Sequence, residues 1–146
     1  MKKITSLLGL MIALFSITYP QSTNIEKFNS DWKFILNRDD AAAATSSFDD
    51  ASWRKLHLPH DWSIELPFDS TSPTGNGGGA LRGGVGWYRK VFNLTVADQS
   101  KNIFIDFDGV YRNSEVFING HLLGKRPNGY ISFRYDLTPY LHFGAE

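Results

Sequence analysis

The chain contains no cysteine. That excludes disulfides, thiol nucleophiles, thiolate metal sites and lipid attachment at an N-terminal cysteine. An excess of charge of either sign is also missing, since 15 Lys and Arg face 15 Asp and Glu, so nothing favours nucleic acid as a partner. Glutamate is scarce, with only Glu26, Glu65, Glu115 and Glu146. Long apolar runs are limited to one, Ile4 to Ile17, which is too short for a membrane helix. No internal repeat occurs and no segment keeps a helical period.

The apolar run sits between Lys2-Lys3 and the polar Gln21-Ser22-Thr23-Asn24. Basic start, apolar middle and polar exit predict a secretory signal peptide over residues 1–22, cut between Tyr19 and Thr23. A retained anchor is the alternative. The mature chain, residues 23–146, then carries 13 basic and 15 acidic side chains, a net formal charge of −2. It is destined for a secreted or periplasmic location, off the membrane once the signal is cut. At roughly 125 residues it has room for one small domain. Aromatic residues make up 14% of the sequence, which suits both a sandwich core and sugar binding.

Strand signals dominate what remains. Ile103, Ile105 and Phe107 alternate with Phe104, Asp106 and Asp108, the period of a strand with one buried face. Val116-Phe117-Ile118 run into Asn119-Gly120, the dipeptide suited to the two positive-φ positions of a type I′ turn, and His121-Leu122-Leu123 lead away. Phe28 to Leu36 predicts an entry strand with Trp32 and Phe34 on one face, and Trp87 to Leu94 another. In the latter, Trp87 and Arg89 share one face and Tyr88 and Lys90 the other. Ala41 to Ala44 reads as a linker or single helical turn, and Pro59 puts Leu56-His57-Leu58 at a strand end or sheet edge. Asp69 to Gly86, with seven glycines around Ala80-Leu81-Arg82, is a long loop of the functional or disordered kind. Asn128-Gly129 predicts a positive-φ surface turn with Tyr130 and Phe133 packed beneath it.

FDGV, FINGHLLG and F-R-Y-DLTPYL, preceded by FNSDWKF, FDDASWRKLHLPHDWSIE and GGVGWYRKVF, resemble in order and spacing the N-terminal sugar-binding domain of glycoside hydrolase family 2. That is the family of β-galactosidases, β-glucuronidases and β-mannosidases, and PHDWSIE with GVGWYRK looks most like its bacterial β-galactosidase branch. The resemblance implies an all-β fold, a galactose-binding-domain-like jelly-roll β-sandwich. In family members another core strand follows DLTPYL, so the sandwich is expected to be truncated at its C-terminal end, with an exposed edge. The catalytic barrel and immunoglobulin-like domains of the parent would be its intramolecular partners, and a β-linked glycan the ligand of the whole enzyme. The other readings are a free-standing carbohydrate-binding module and a plain interaction domain.

No catalytic residue is assigned. A retaining glycosidase needs two carboxyl groups about 5 Å apart, and none of the four glutamates follows an asparagine as the family's acid/base glutamate does. Asp106 and Asp108 read instead as a solvated strand face or a turn cap. Gly75-Asn76-Gly77-Gly78-Gly79-Ala80 satisfies a dinucleotide pattern, but no helix-forming stretch follows it; the resemblance implies instead a mobile loop at the rim of a sugar pocket. His57 and His60 lack a third ligand and a converging geometry, so no metal or other cofactor is expected. His60, Asp61 and Trp62 combine hydrogen-bonding groups with an aromatic face, as sugar recognition requires, although Trp62 could be core and Asp61 a turn cap. Arg82 and Trp87 complete the candidate sugar-binding set, with cation–π packing as the alternative around Trp87 and Arg89.

Overall fold

The computed structural model describes residues 23–36 and 41–144. The proposed signal peptide therefore lies outside the described residues. Seven strands, β1 (Trp32–Leu36), β2 (Arg54–Leu56), β3 (Gly86–Arg89), β4 (Phe104–Phe107), β5 (Ser114–Ile118), β6 (His121–Arg126) and β7 (Phe133–Asp136), alternate with short 3₁₀ turns. No α-helix occurs among the described residues. The architecture is an all-β jelly-roll sandwich built from antiparallel pieces: a sheet ordered β2-β1-β3 and the pairs β4-β7 and β5-β6.

Strand β1 is the centre of the first sheet. Phe34 lies opposite Arg54 of β2 and Tyr88 of β3, and at 5% exposure it belongs to the small core with Ala43, Trp53, Phe133 and Leu137. The entry strand is shorter than the sequence pattern predicts. Asp31 takes a positive φ of 58°, and the Trp32 indole donates back to the Phe28 carbonyl at 2.7 Å, so residues 28–31 fold over rather than extend. β3 is likewise cut short at Arg89. Its last ladder partner is Lys33 on β1, and farther on Thr95 and Asp98 close a reciprocal capping box that starts a 3₁₀ turn. β2 is an edge strand that ends before the cis Leu58–Pro59 bond, in keeping with the reading of Pro59.

Alternation on β3 sorts its neighbours as the sequence predicts. Arg89 stands over the rings of Phe48 and Trp53, 5.8 Å from each centroid, and donates to the carbonyls of Ala43 and Thr45 at 2.6 Å each. It thereby staples the 3₁₀ turn Ala41–Ala44 to the sheet. Trp87, on the same face, stacks on Phe117 of β5 at 5.9 Å, which joins the first sheet to the hairpin.

In β4, Ile105 and Phe107 turn inward while Phe104 and Asp106 stay exposed. Asp106 faces Arg134 across the β4-β7 pair and accepts two hydrogen bonds from it, at 2.7 and 2.8 Å, a bidentate geometry that fixes register. These bonds hold the Asp106 carboxyl below its usual pKa. Asp106 is therefore a solvated strand residue, as expected. Among the described residues β7 pairs only with β4.

The β5-β6 hairpin closes through Asn119 and Gly120, with φ values of 49° and 84°, the two positive positions of a type I′ turn. Asn119 also donates to the Tyr140 carbonyl at 2.7 Å, tying the tip to the final 3₁₀ turn. A bulge between Val116 and Phe117 re-aims the strand. Gly124 is required at its place, because a Cβ there would come within 2.7 Å of the Tyr135 hydroxyl; the Arg126 guanidinium lies over the rings of Phe133 and Tyr135. Those contacts seat the hairpin on β4-β7.

The turn before β7 departs from expectation. Neither Asn128 nor Gly129 has a positive φ, because the Asn128 side chain accepts from the Tyr130 amide at 2.8 Å and forms an Asx turn. Tyr130 is 87% exposed rather than packed, while Phe133 is buried.

Replacing Gly120 with Val puts a β-branched residue at positive φ in open space, so strain acts alone. The change is expected to cost about 1–3 kcal/mol, and Gly120→Asn clearly less. Chemical denaturation of the three proteins reads the order, and equal midpoints would refute the turn assignment.

Candidate carbohydrate site

The candidate residues fall into two places. His60, Asp61 and Trp62 lie together at the start of the 3₁₀ turn Trp62–Glu65, beside the first sheet. Asp61 caps that turn, its carboxylate accepting from the Ser63 amide at 3.0 Å and the Ser63 hydroxyl at 2.6 Å. The capping alternative is thus what the geometry realises for one of its oxygens. Trp62 is half-buried over Gly86: a Cβ on Gly86 would sit 3.0 Å from the Trp62 indole nitrogen and 3.1 Å from the Phe34 ring. Only glycine lets the indole and the strand approach so closely.

His60 is the hinge of this arrangement. Its ring meets Phe34 edge-on at 4.8 Å, its Nδ1 is 2.8 Å from the Tyr88 hydroxyl, and its Nε2 is 3.0 Å from the Arg54 guanidinium and 3.2 Å from Glu65. Arg54 also donates to Glu65 at 2.6 Å. Both ring nitrogens are therefore occupied within the protein. His57 is exposed and outside this group, and no cluster of three or more metal-ligating side chains exists among the described residues.

The electrostatics follow from these contacts. The hydrogen bond from Arg54, and then burial and His60, act on Glu65, with the net effect of lowering its pKa; the same bond raises that of Arg54. Both side chains are open to water, so the pair is worth little as stability. Tyr88 behaves differently. Burial first, then the charges of Asp61 and Glu65, push its hydroxyl up to about 12.

Arg82 lies in the second place, the glycine-rich loop. The sequence predicts its least structured segment here, but the loop closes on itself. Asp69 and Ala80 join through a 2.9 Å backbone hydrogen bond, Ser72 and Thr74 hydroxyls both donate to the Leu81 carbonyl at 2.7 and 2.8 Å, and Arg82 pairs with Asp69 at 3.1 Å. Hydrogen bonds from Thr71, outweighing some burial, lower the Asp69 pKa. An open cleft of about 470 Å³ lies against Asp69, Thr71, Ser72, Pro73, Arg82 and Gly83. Glycines made this order hard to foresee, because the bonds come from Ser, Thr and Asp placed between them. Arg82 thus lines a cleft, whereas Trp87 faces the hairpin through Phe117. Arg54, Glu65 and Tyr88 escaped the sequence reading; strand alternation, which puts Tyr88 opposite Trp87, was the one signal for any of them.

Fold and loops together define a jelly-roll β-sandwich of the binding-domain class. The chain belongs to the sugar-binding domain of the glycosyl hydrolases family 2, whose family model matches residues 25–146. A β-galactosidase of Bacteroides ovatus is 62% identical over 114 residues, which cover 78% of this chain and 13% of that protein. A putative β-glucuronidase of Formosa agariphila is 51% identical over 139 residues, 94% of this chain and 13% of the relative. Among solved structures, a β-glycosidase from Bacteroides vulgatus superimposes with a TM-score of 0.77 at 52% identity, over 80% of this chain and 15% of the other. A family 2 member from Bacteroides cellulosilyticus gives a TM-score of 0.79 at 39% identity, over 82% and 16%. The chain spans about 13% of the curated relatives' length.

A phenol favoured in its neutral form by folding contributes stability that is full below pH 10.0 and is lost as the pH climbs toward about 12. In an alkaline ultraviolet titration Tyr88 should ionise only as the pH nears about 12, and Tyr88→Phe should remove that late phase. A late phase that persists in the variant would contradict the burial assigned to Tyr88.

Proposed function

We propose that this chain is the N-terminal, non-catalytic sugar-binding domain of an exported family 2 glycosidase, with retaining β-galactosidase-type action on O-glycosyl bonds. The observation that carries the reading is the 62% identity to the Bacteroides ovatus β-galactosidase, within a family match that runs over residues 25–146. The domain's work is to flank a barrel that supplies the acid and the nucleophile, and to shape one wall of the pocket for a β-linked glycan. Barrel and immunoglobulin-like domains are its intramolecular partners. Lys2-Lys3 and the apolar run after them support export.

In this reading the glycine-rich loop is the pocket wall, and Arg82 is its reaching side chain, 55% exposed beside the cleft. Trp62 offers a partly open ring, Asp61 holds the turn that carries it, and His60 fixes that turn to β3 through Tyr88. Trp87, already stacked on Phe117, supports the wall from the hairpin side. A β-glucuronidase is the second reading, favoured by the 51% identity to the Formosa agariphila protein over nearly the whole chain.

The chain by itself is expected to turn over no nitrophenyl β-galactoside or β-glucuronide, since no residue in it is assigned as acid or nucleophile. The complete open reading frame should hydrolyse the galactoside with retention, and its exported product should begin between Tyr19 and Thr23. Activity that co-purifies with the chain alone would defeat the non-catalytic assignment; preference of the whole enzyme for the glucuronide would shift the reading to the second.

A further inference from the structure

Two loops at one end of the β4-β7 and β5-β6 pairs carry an aromatic feature that the cleft and the His60 turn do not use. Tyr111, between β4 and β5, is 69% exposed, and Tyr130, between β6 and β7, is 87% exposed. Their rings stand perpendicular with centroids 6.4 Å apart. Free tyrosines on separate loops would splay apart, yet here the loops are laced together. The Asn113 amide donates to the Pro127 carbonyl, the Asn128 side chain holds the Tyr130 amide, and Gly129 lies so close to the Tyr111-Arg112 backbone that a Cβ would stand 2.7 Å from the Arg112 nitrogen. The Arg112 guanidinium lies over the Tyr111 ring at 5.9 Å.

We infer that Tyr111 and Tyr130, with Arg112, form a second glycan contact, a stacking platform for a pyranose ring of the β-linked glycan. A pyranose presents one face of C–H groups and a rim of hydroxyls. An open tyrosine ring matches the first through area burial and its quadrupole, and two phenol hydroxyls with a guanidinium match the second. Bracing of the loops matters as much as the rings, because a platform already ordered loses little freedom when the sugar arrives. The perpendicular rings form a corner, so one stacks on the sugar and the other closes its edge. The cation beside the rings and the two phenol hydroxyls favour a polar, hydroxyl-rich ligand over an apolar one. The inference rests on the glycan reading above, but on residues outside the set proposed there.

The test is a titration of the full chain with lactose and β-1,4-galactobiose, followed by nuclear magnetic resonance of ring protons and by affinity electrophoresis on a β-galactan gel. Both tyrosine ring resonances should move on titration. Tyr130→Ala and Tyr111→Ala should each weaken binding by about 5- to 10-fold, in line with the loss of one aromatic contact, while Tyr130→Phe should stay within about 2-fold. Both positions are exposed, so unchanged melting is expected and separates lost binding from lost fold. Binding that persists in both alanine variants, with shifts at Trp62 instead, overturns the platform and leaves the glycan reading standing. Absence of any glycan binding by the chain overturns the platform, while the family 2 reading is decided separately by the activity of the complete enzyme. Tyrosine rings silent toward sugar but shielded in the complete enzyme would make this end an interdomain contact and overturn the platform.

Discussion

The arrangement depends first on Phe34. It sits on the central strand of the first sheet, bonded on both sides, and its ring is met by His60 and Tyr88 at 4.8 Å each and by the Arg54 guanidinium at 5.5 Å. A buried aromatic ring in contact with polar groups serves as a floor: it excludes water beneath them, so their hydrogen bonds to one another become the ones they can make. The His60 turn is therefore positioned by an apolar residue that has no chemistry of its own. Remove that floor and the turn would lose its reason to lie against β3.

The same logic explains why the core is small and the fold still specific. Few side chains among those described are buried below a tenth of their surface, so area burial alone defines the packing loosely. Directional contacts supply the rest. Arg134 on Asp106, Arg89 on two carbonyls and the Asn119 bond to Tyr140 each link segments distant in sequence. Several large apolar side chains, Phe68 and Val91 among them, remain exposed.

Strand and turn chemistry was legible in the sequence because it is local. Asn119-Gly120 announced its own dihedral angles, and the alternation through β4 and β3 sorted inner from outer residues before any partner was known. Where the reading failed, a distant or unexpected bond had intervened. The indole of Trp32 shortened the entry strand, a side-chain Asx turn replaced positive φ at Asn128-Gly129, and hydroxyl-to-carbonyl bonds ordered a loop whose glycines suggested none. Of the candidate site, the sequence exposed His60, Asp61 and Trp62 as a unit through their proximity in the chain. It could not show that Arg54 and Tyr88 would meet them, since cross-strand register sets that encounter.

The Arg89 staple has an evolutionary corollary. One guanidinium holds two carbonyls, stands beside the Asp50 carboxylate at 3.7 Å and covers two aromatic rings. Lysine, a compact point charge with three donors, could bond the carbonyls but would offer no flat surface to the rings and no second nitrogen to stand beside Asp50. Position 89 is thus locked to residues 41–53 as a block. Lineages that drift to lysine there would have to reshape that whole segment in step, so the segment and the arginine should be inherited, lost or replaced together.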